Sequence, residues 1–223
     1  MNVRLLTICL LAGACASCGI YHPQLAEVPL IDHKGDIRFT AKATSPAMVN
    51  ASIRAGLTNH IAAQIHTDIC LFEDISNINY SHFALGYYQP FGKAVLEGYA
   101  GAGFNYGDIT DYARSFRSRG KSIIPFVQVN YGWTNLTKAH IDVGAAVKAG
   151  IMYPHFSTDF DDGHYVQTNS KAGFVEPQLF FRIGGENVKF SLQAGWCHVV
   201  MRRAETQWWY PFTVGMGITV FVK

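Results

Sequence analysis

Nine charged residues fall inside stretches whose other positions are apolar or small: Arg38, Lys42, Arg54, Glu97, Asp142, Lys148, Glu176, Arg182 and Lys189. Charges spaced this way along an extended chain face one side of it, and away from water they must pair or be hydrogen-bonded. The chemistry they offer is a network of ion pairs, with a selective pore as the other use of the same residues. A second grouping, HFSTDFDDGH, crowds His155, Asp159, Asp161, Asp162 and His164 into one short stretch of oxygen and imidazole donors, the types that hold a divalent cation. Its spacing follows no EF-hand pattern and a solvated acidic loop has the same composition, so no metal is assigned. A hydroxyl, an imidazole and a carboxylate occur as Ser81, His82 and Asp68, the types needed for acyl transfer. No nucleophile motif frames Ser81, and neighbours on a strand face opposite ways, so Ser81 and His82 do not converge. No catalytic residue and no cofactor is therefore expected. Arg114, Arg117, Arg119 and Lys121 make a basic run suited to phosphate groups or to simple solvation.

Strands must position these residues. From Asp36 onward the sequence alternates with period two in ten runs: 36–44, 47–56, 60–70, 80–91, 93–105, 121–132, 139–152, 172–184, 186–200 and 209–222. In the seventh, Ile141, Val143, Ala145, Val147, Ala149 and Ile151 share one face, while His140, Asp142, Gly144, Ala146 and Lys148 share the other. Many runs reach the roughly nine to eleven residues that cross a bilayer obliquely. The connections at 57–59, 92–93, 132–138 and 184–185 are short, and those at 71–79, 106–120, 153–171 and 201–208 are longer. Short and long alternating is the pattern of a transmembrane barrel. Tyr106, Tyr131, Trp133, Tyr153, Trp196, Trp208, Trp209 and Tyr210 near run ends suit interfacial girdles. The fold expected is an all-β, antiparallel up-and-down transmembrane β-barrel of about ten strands, with eight as the alternative. Two hairpins have a testable register. A Gly92-Lys93 turn sets Tyr87 opposite Gly98 and Gly86 opposite Tyr99, and a two-residue Gly184-Gly185 turn sets Phe181 opposite Val188.

Composition agrees with a surface only partly in water: 15% charged and 13% aromatic residues, where a soluble domain carries about 25% charged. Net charge is +2 with the basic residues dispersed, so nucleic acid is excluded as a partner. At the N-terminus, Arg4 precedes a short apolar stretch and then small residues and cysteines, which reads as a signal peptide over 1–17. Lipidation is expected at Cys18, with Cys15 as the alternative. Residues 18–35 then form a periplasmic tether and 36–223 the barrel. An even strand number puts both termini in the periplasm. Beyond the leader only Cys70 and Cys197 remain, too few for a disulfide framework and separated by the lumen.

The run Cys18-Gly19-Ile20-Tyr21-His22-Pro23, then Val28-Pro29-Leu30-Ile31 and Lys34-Gly35-Asp36, resembles the leaders of a Bacteroidota-type group of small outer-membrane β-barrel lipoproteins of uncharacterised function. The motifs span about residues 18–36, and the imperfect lipobox departs from the pattern. The resemblance implies a location and a fold and no particular chemistry. The expected role is structural or loop-presenting in the envelope, with outer-membrane lipid and lipopolysaccharide as partners and an envelope protein partner unidentified. A small channel, a lipid-modifying outer-membrane enzyme and a periplasmic ligand-binding β-barrel are the alternatives.

Overall fold

The structure, a computed structural model, describes residues 24–45, 48–70, 76–111, 115–201 and 211–222. Cys15, Cys18, the motif at 18–23, Arg114, Trp208, Trp209 and Tyr210 lie outside the described residues. Among the described residues there are twelve strand segments: β1 (Ile37–Thr44), β2 (Met48–Gly56), β3 (Ile61–Cys70), β4 (Ser76–Phe91), β5 (Ala94–Asp111), β6 (Phe116–Trp133), β7 (Asp142–Phe160), β8 (Tyr165–Thr168), β9 (Ala172–Gly184), β10 (Val188–Trp196), β11 (His198–Met201) and β12 (Phe212–Val222). All neighbours are antiparallel, and pairing of β1 with β12 and of β7 with β9 closes the sheet on itself. Two pairs of segments are each one stave. β8 and β9 keep a single register against β7, and β10 and β11 keep one against β9. The second interruption falls at Cys197, whose N–H turns to the Pro211 carbonyl at 2.7 Å. Pro177, with no N–H to give, lies on β9 at this point. The result is a closed, antiparallel barrel of ten staves.

Period-two alternation sorts every stave into two faces. On β6 the inward row includes Ser118, Ser122, Ile124, Phe126, Gln128 and Asn130, and the outward row runs Arg117, Arg119, Lys121, Ile123, Pro125, Val127, Val129, Tyr131, Trp133. Large apolar side chains are exposed around the barrel, among them Ile65, Phe83, Val127, Leu179, Phe190 and Ile218, each about half exposed or more. Charged and amide side chains are instead buried inside. This inversion of a soluble protein is what a lipid-facing exterior requires.

Three expectations need correction. The stretches 106–120 and 153–171 are not simple long loops, because β5, β6 and β7 run through them and β8 adds a return strand. Their outward faces turn polar there, so apolar–polar contrast disappears while the strand continues. The Gly184-Gly185 hairpin is also shifted: Phe181 faces Leu192 and Leu179 faces Ala194. The turn lies two residues later, at Glu186-Asn187, closed by Gly185 N–H to the Val188 carbonyl at 2.8 Å. An even shift keeps every side chain on its own face, so matching polarity does not reveal it. Finally, residues 24–31, inside the stretch expected to be a periplasmic tether, run within the barrel, where all eight are buried.

The other hairpin has the expected register, with Tyr87 opposite Gly98 and Gly86 opposite Tyr99. Gly92 supplies the positive φ of 63° at the first turn position and Lys93 does not share it, the arrangement of a type II′ turn. Inside, Gly86 makes room for the Tyr99 ring: a Cβ there would meet Tyr99 Cδ1 at 2.3 Å. A Cβ on outward Gly98 would meet nothing within 4 Å. Gly86→Val should therefore destabilise the barrel by about 1 to 3 kcal/mol through overpacking, and Gly98→Ala should leave it unchanged. Thermal unfolding in detergent micelles checks the pair. Equal behaviour of the two variants would refute the register.

Candidate functional site

The lumen is filled by the chain itself. Residues 24–31, QLAEVPLI, descend from the loop end, where Leu25 lies beside Gly215 and Thr44, to the short-turn end, where Ile31 lies beside Gly56. The segment has no ladder partner, so its backbone is satisfied by wall side chains. Gln193 Nε2 donates to the Ala26 carbonyl at 3.3 Å, and Gln128 Nε2 donates to that of Glu27 at 2.6 Å. Arg182 donates to the Val28 carbonyl and Arg38 to that of Pro29. The Ile31 N–H donates to Glu97 Oε1 at 2.7 Å. Small wall residues leave the space: Cβ atoms on Gly215 and Gly132 would come within 2.6 Å of Leu25 and 3.0 Å of Leu30. Leu30 holds a left-handed φ of 56° and is fully buried with Ala26, Val28, Val95, Ala146 and Phe180.

Glu27 is the hub. One carboxylate oxygen lies 2.7 Å from Lys42 Nζ and 3.3 Å from His66 Nδ1, and the other accepts from Arg54. His66 Nε2 lies 2.8 Å from Asp68 Oδ1, and its ring stacks on His82 with centroids 4.9 Å apart. Nearer the short turns, Asp142 takes Lys189 at 2.5 Å and Arg182 at 3.5 Å, and Arg38 forks onto Asp36. Nearer the loops, Lys148 lies 3.2 Å from the Tyr80 hydroxyl, 3.9 Å from Glu176 and 4.7 Å from the centroid of the Phe126 ring. Among the described residues the buried cations are Arg38, Lys42, Arg54, Lys148, Arg182 and Lys189; the buried carboxylates are Glu27, Asp36, Asp68, Glu97, Asp142 and Glu176. Six stand against six, and the balance includes Glu27, which the wall does not supply.

All nine charges singled out from the sequence face inward and are buried. Glu97 differs from an ion-paired carboxylate: it accepts from the Ile31 N–H, the Asn130 amide at 2.9 Å and the Tyr99 hydroxyl at 3.3 Å. Glu27 was not foreseen. Its only signal is a lone acid within an otherwise uncharged eight-residue run. Ser81 and His82 do face opposite ways: Ser81 is exposed, with its hydroxyl 2.9 Å from that of Thr67, and His82 is buried. Asp68 reaches neither in a relay and instead pairs with His66. Cys70 and Cys197 are buried thiols not joined to each other.

The five residues of HFSTDFDDGH are not gathered. His155 and Asp159 lie on the outer face of β7, while Asp161, Asp162 and His164 lie in the turn beyond it. Among the described residues only Asp32, His33 and Asp36 bring three potential metal ligands within 4.8 Å of one another, and Asp36 is occupied by Arg38.

Above the apolar rows, β5 to β8 project as a wall past the ends of the shorter staves. Arg117 forks onto Asp108 with 2.9 and 2.7 Å bonds. These bonds hold the Asp108 carboxyl below its ordinary range. That contribution is present above the ordinary carboxylate range and fades as pH falls through the lowered value.

A scan against protein-family models finds no match, nor does a search of curated proteins. Among solved structures the chain is similar to the translocator domain of the autotransporter NalP from Neisseria meningitidis, at 10% identity and a TM-score of 0.40, covering 83% of this chain and 86% of that one. It is similar to Acinetobacter baumannii CarO at 8% identity and a TM-score of 0.23, covering 88% and 100%. OmpT of Vibrio cholerae, an outer-membrane protein in its trimer form, gives 8% and 0.21, covering 84% and 98%. None of these likenesses carries an argument about activity.

Removing one partner of a buried ion cluster leaves uncompensated charge, at a cost of about 3 to 5 kcal/mol. Glu27→Gln should therefore lower barrel stability by that order. Asp108→Asn, on the projecting wall with its arginine mostly in solvent, should lower the unfolding temperature far less, since an exposed ion pair contributes little. Thermal unfolding of both variants in one detergent is the check, and a Glu27→Gln protein as stable as the parent would refute the cluster.

Proposed function

We propose that the chain is a plugged outer-membrane barrel: a non-conducting envelope protein that carries the β5–β8 wall beyond the bilayer and performs no catalysis. One observation supports the membrane reading above the rest. The outward row of β6 passes from basic (Arg117, Arg119, Lys121) through apolar (Ile123 to Val129) to aromatic (Tyr131, Trp133) residues. A single strand thus carries solvent-or-headgroup, hydrocarbon and interface chemistry in order. Tyr106, Tyr153 and Trp196 are outward and 40 to 54% exposed, consistent with headgroup-depth rings. A periplasmic ligand-binding barrel would bury its apolar face around a ligand, and here that face is outside.

The plug argues against conduction. Residues 24–31 lie along the lumen, and the cluster of His66, Tyr80, His82, Phe126 and Lys148 fills the space beside and above them. A lipid-modifying enzyme would need converging acid–base and nucleophilic groups, and Ser81 with His82 does not converge. Acylation of Cys18 fits the leader and would fix the N-terminal segment to a membrane leaflet.

In planar bilayers the full chain should show no steady conductance. A variant in which residues 24–31 are replaced by a Gly-Ser segment of the same length should open to ions and prefer anions, since the lumen then loses the plug's Glu27 while the wall keeps Lys42 and Arg54. A steadily conducting parent protein would overturn the plugged reading in favour of a channel.

A further inference from the structure

The geometry points to a binding site for a phosphate-bearing lipid headgroup on the outer face of the β5–β8 wall, a reading that rests on the membrane orientation proposed above. Tyr106, Lys121 and His155 stand side by side across β5, β6 and β7, and the next rung outward aligns Asp108, Arg119 and Ser157, with Gln167 on β8. Between these rungs lies an open cleft of about 320 Å³ lined by Tyr106, Arg119, Lys121, His155, Ser157 and Tyr165. Arg119 and Lys121 make no ion pair among the described residues. The nearby carboxylate, Asp108, accepts both bonds of the Arg117 fork, and Asp159 sits across from Arg117 one rung further out.

Two cations two residues apart on one strand face lie about 7 Å from each other, a spacing one phosphate group can bridge. The guanidinium offers a planar fork and the ammonium a point charge, complementary ways of holding phosphate oxygens. Ser157 adds a hydroxyl. Tyr106 and Tyr165, 47% and 60% exposed, stand as side walls against which a sugar or glycerol can lie.

Position selects the occupant. On the same face of β6, Ile123 follows Lys121 directly and begins the apolar row, so the cleft opens just where acyl chains give way to headgroups. A lipid whose chains pack along Ile123, Val127 and Val129 brings its phosphate to Lys121 and Arg119 without leaving the bilayer. Lys171, its Nζ 4.9 Å over the ring of Tyr153, adds a cation beside the first apolar rung, where Tyr153 pairs with Ile123.

The test reconstitutes the full chain in phosphatidylcholine nanodiscs doped with a bisphosphorylated lipid A or its dephosphorylated analogue, and reads co-retained lipid by native mass spectrometry. The parent protein should retain the phosphorylated form preferentially. Arg119→Ala/Lys121→Ala should cut that retention about tenfold, corresponding to about 1.4 kcal/mol, and Lys34→Ala at the opposite end should not change it. Equal retention of the two lipids, or of the phosphorylated lipid by parent and double variant, would overturn the site. Displacement of the glycolipid by millimolar inorganic phosphate would assign the cleft to a soluble anion and overturn it as well. Failure to enter nanodiscs at all would overturn the membrane reading and the site together, whereas insertion without lipid preference overturns the site alone.

Discussion

Ionised groups taken out of water need opposite charge within reach, and this barrel meets the need with a carboxylate from outside its own wall. Glu27 touches Lys42, Arg54 and His66 at once, from β1, β2 and β3. Without the segment that carries it, Lys42 and Arg54, on the neighbouring strands β1 and β2, lose the one carboxylate they share. The penalty for that arrangement is several kcal/mol per ion, larger than the net worth of any single hydrogen bond in the network. The wall and the segment are therefore one structure: the wall supplies amides and guanidinium groups for the segment's carbonyls, and the segment supplies the missing negative charge and the leucines that fill the gaps over Gly132 and Gly215.

The exterior follows from the same constraint seen from the other side. Once polar groups are satisfied within the lumen, the outward face is left to Val, Ile, Leu and Phe, and burying that face needs lipid in place of a second layer of protein. Closure by β1 with β12 leaves no open sheet edge in the apolar zone. Where β5, β6 and β7 rise past that zone the outward residues become charged and the pairing continues, which gives a stiff projecting wall instead of loose loops.

Much of this fold was legible because period two survives wherever one face is apolar and the other is not. The ten staves, the inward placement of Arg38, Lys148 and Arg182, and the Gly92 turn all rest on that contrast. It fails in three identifiable ways. On Arg117 to Lys121 both faces are polar or small, so a strand reads as loop. At Gly184 an even shift of register leaves every face intact, so only the turn's hydrogen bond decides. At 24–31 the segment is extended with no ladder partner and contains Pro29, so neither strand nor helix periodicity marks it. The role of Glu27 depends on three strands meeting around it, which no local pattern encodes.

The central claim, a lumen filled by residues 24–31 within a lipid-facing wall, is tested most directly by thiol modification in reconstituted vesicles. Single cysteines are placed at Ala26 and Val147 in a chain whose other cysteines are replaced by alanine, and each is offered a water-soluble and a lipid-soluble maleimide. The account predicts that Ala26→Cys resists both reagents and that Val147→Cys reacts with the lipid-soluble one alone. Rapid reaction of Ala26→Cys with the water-soluble reagent in the folded, inserted protein would contradict it, because the lumen would then hold water where the structure holds chain.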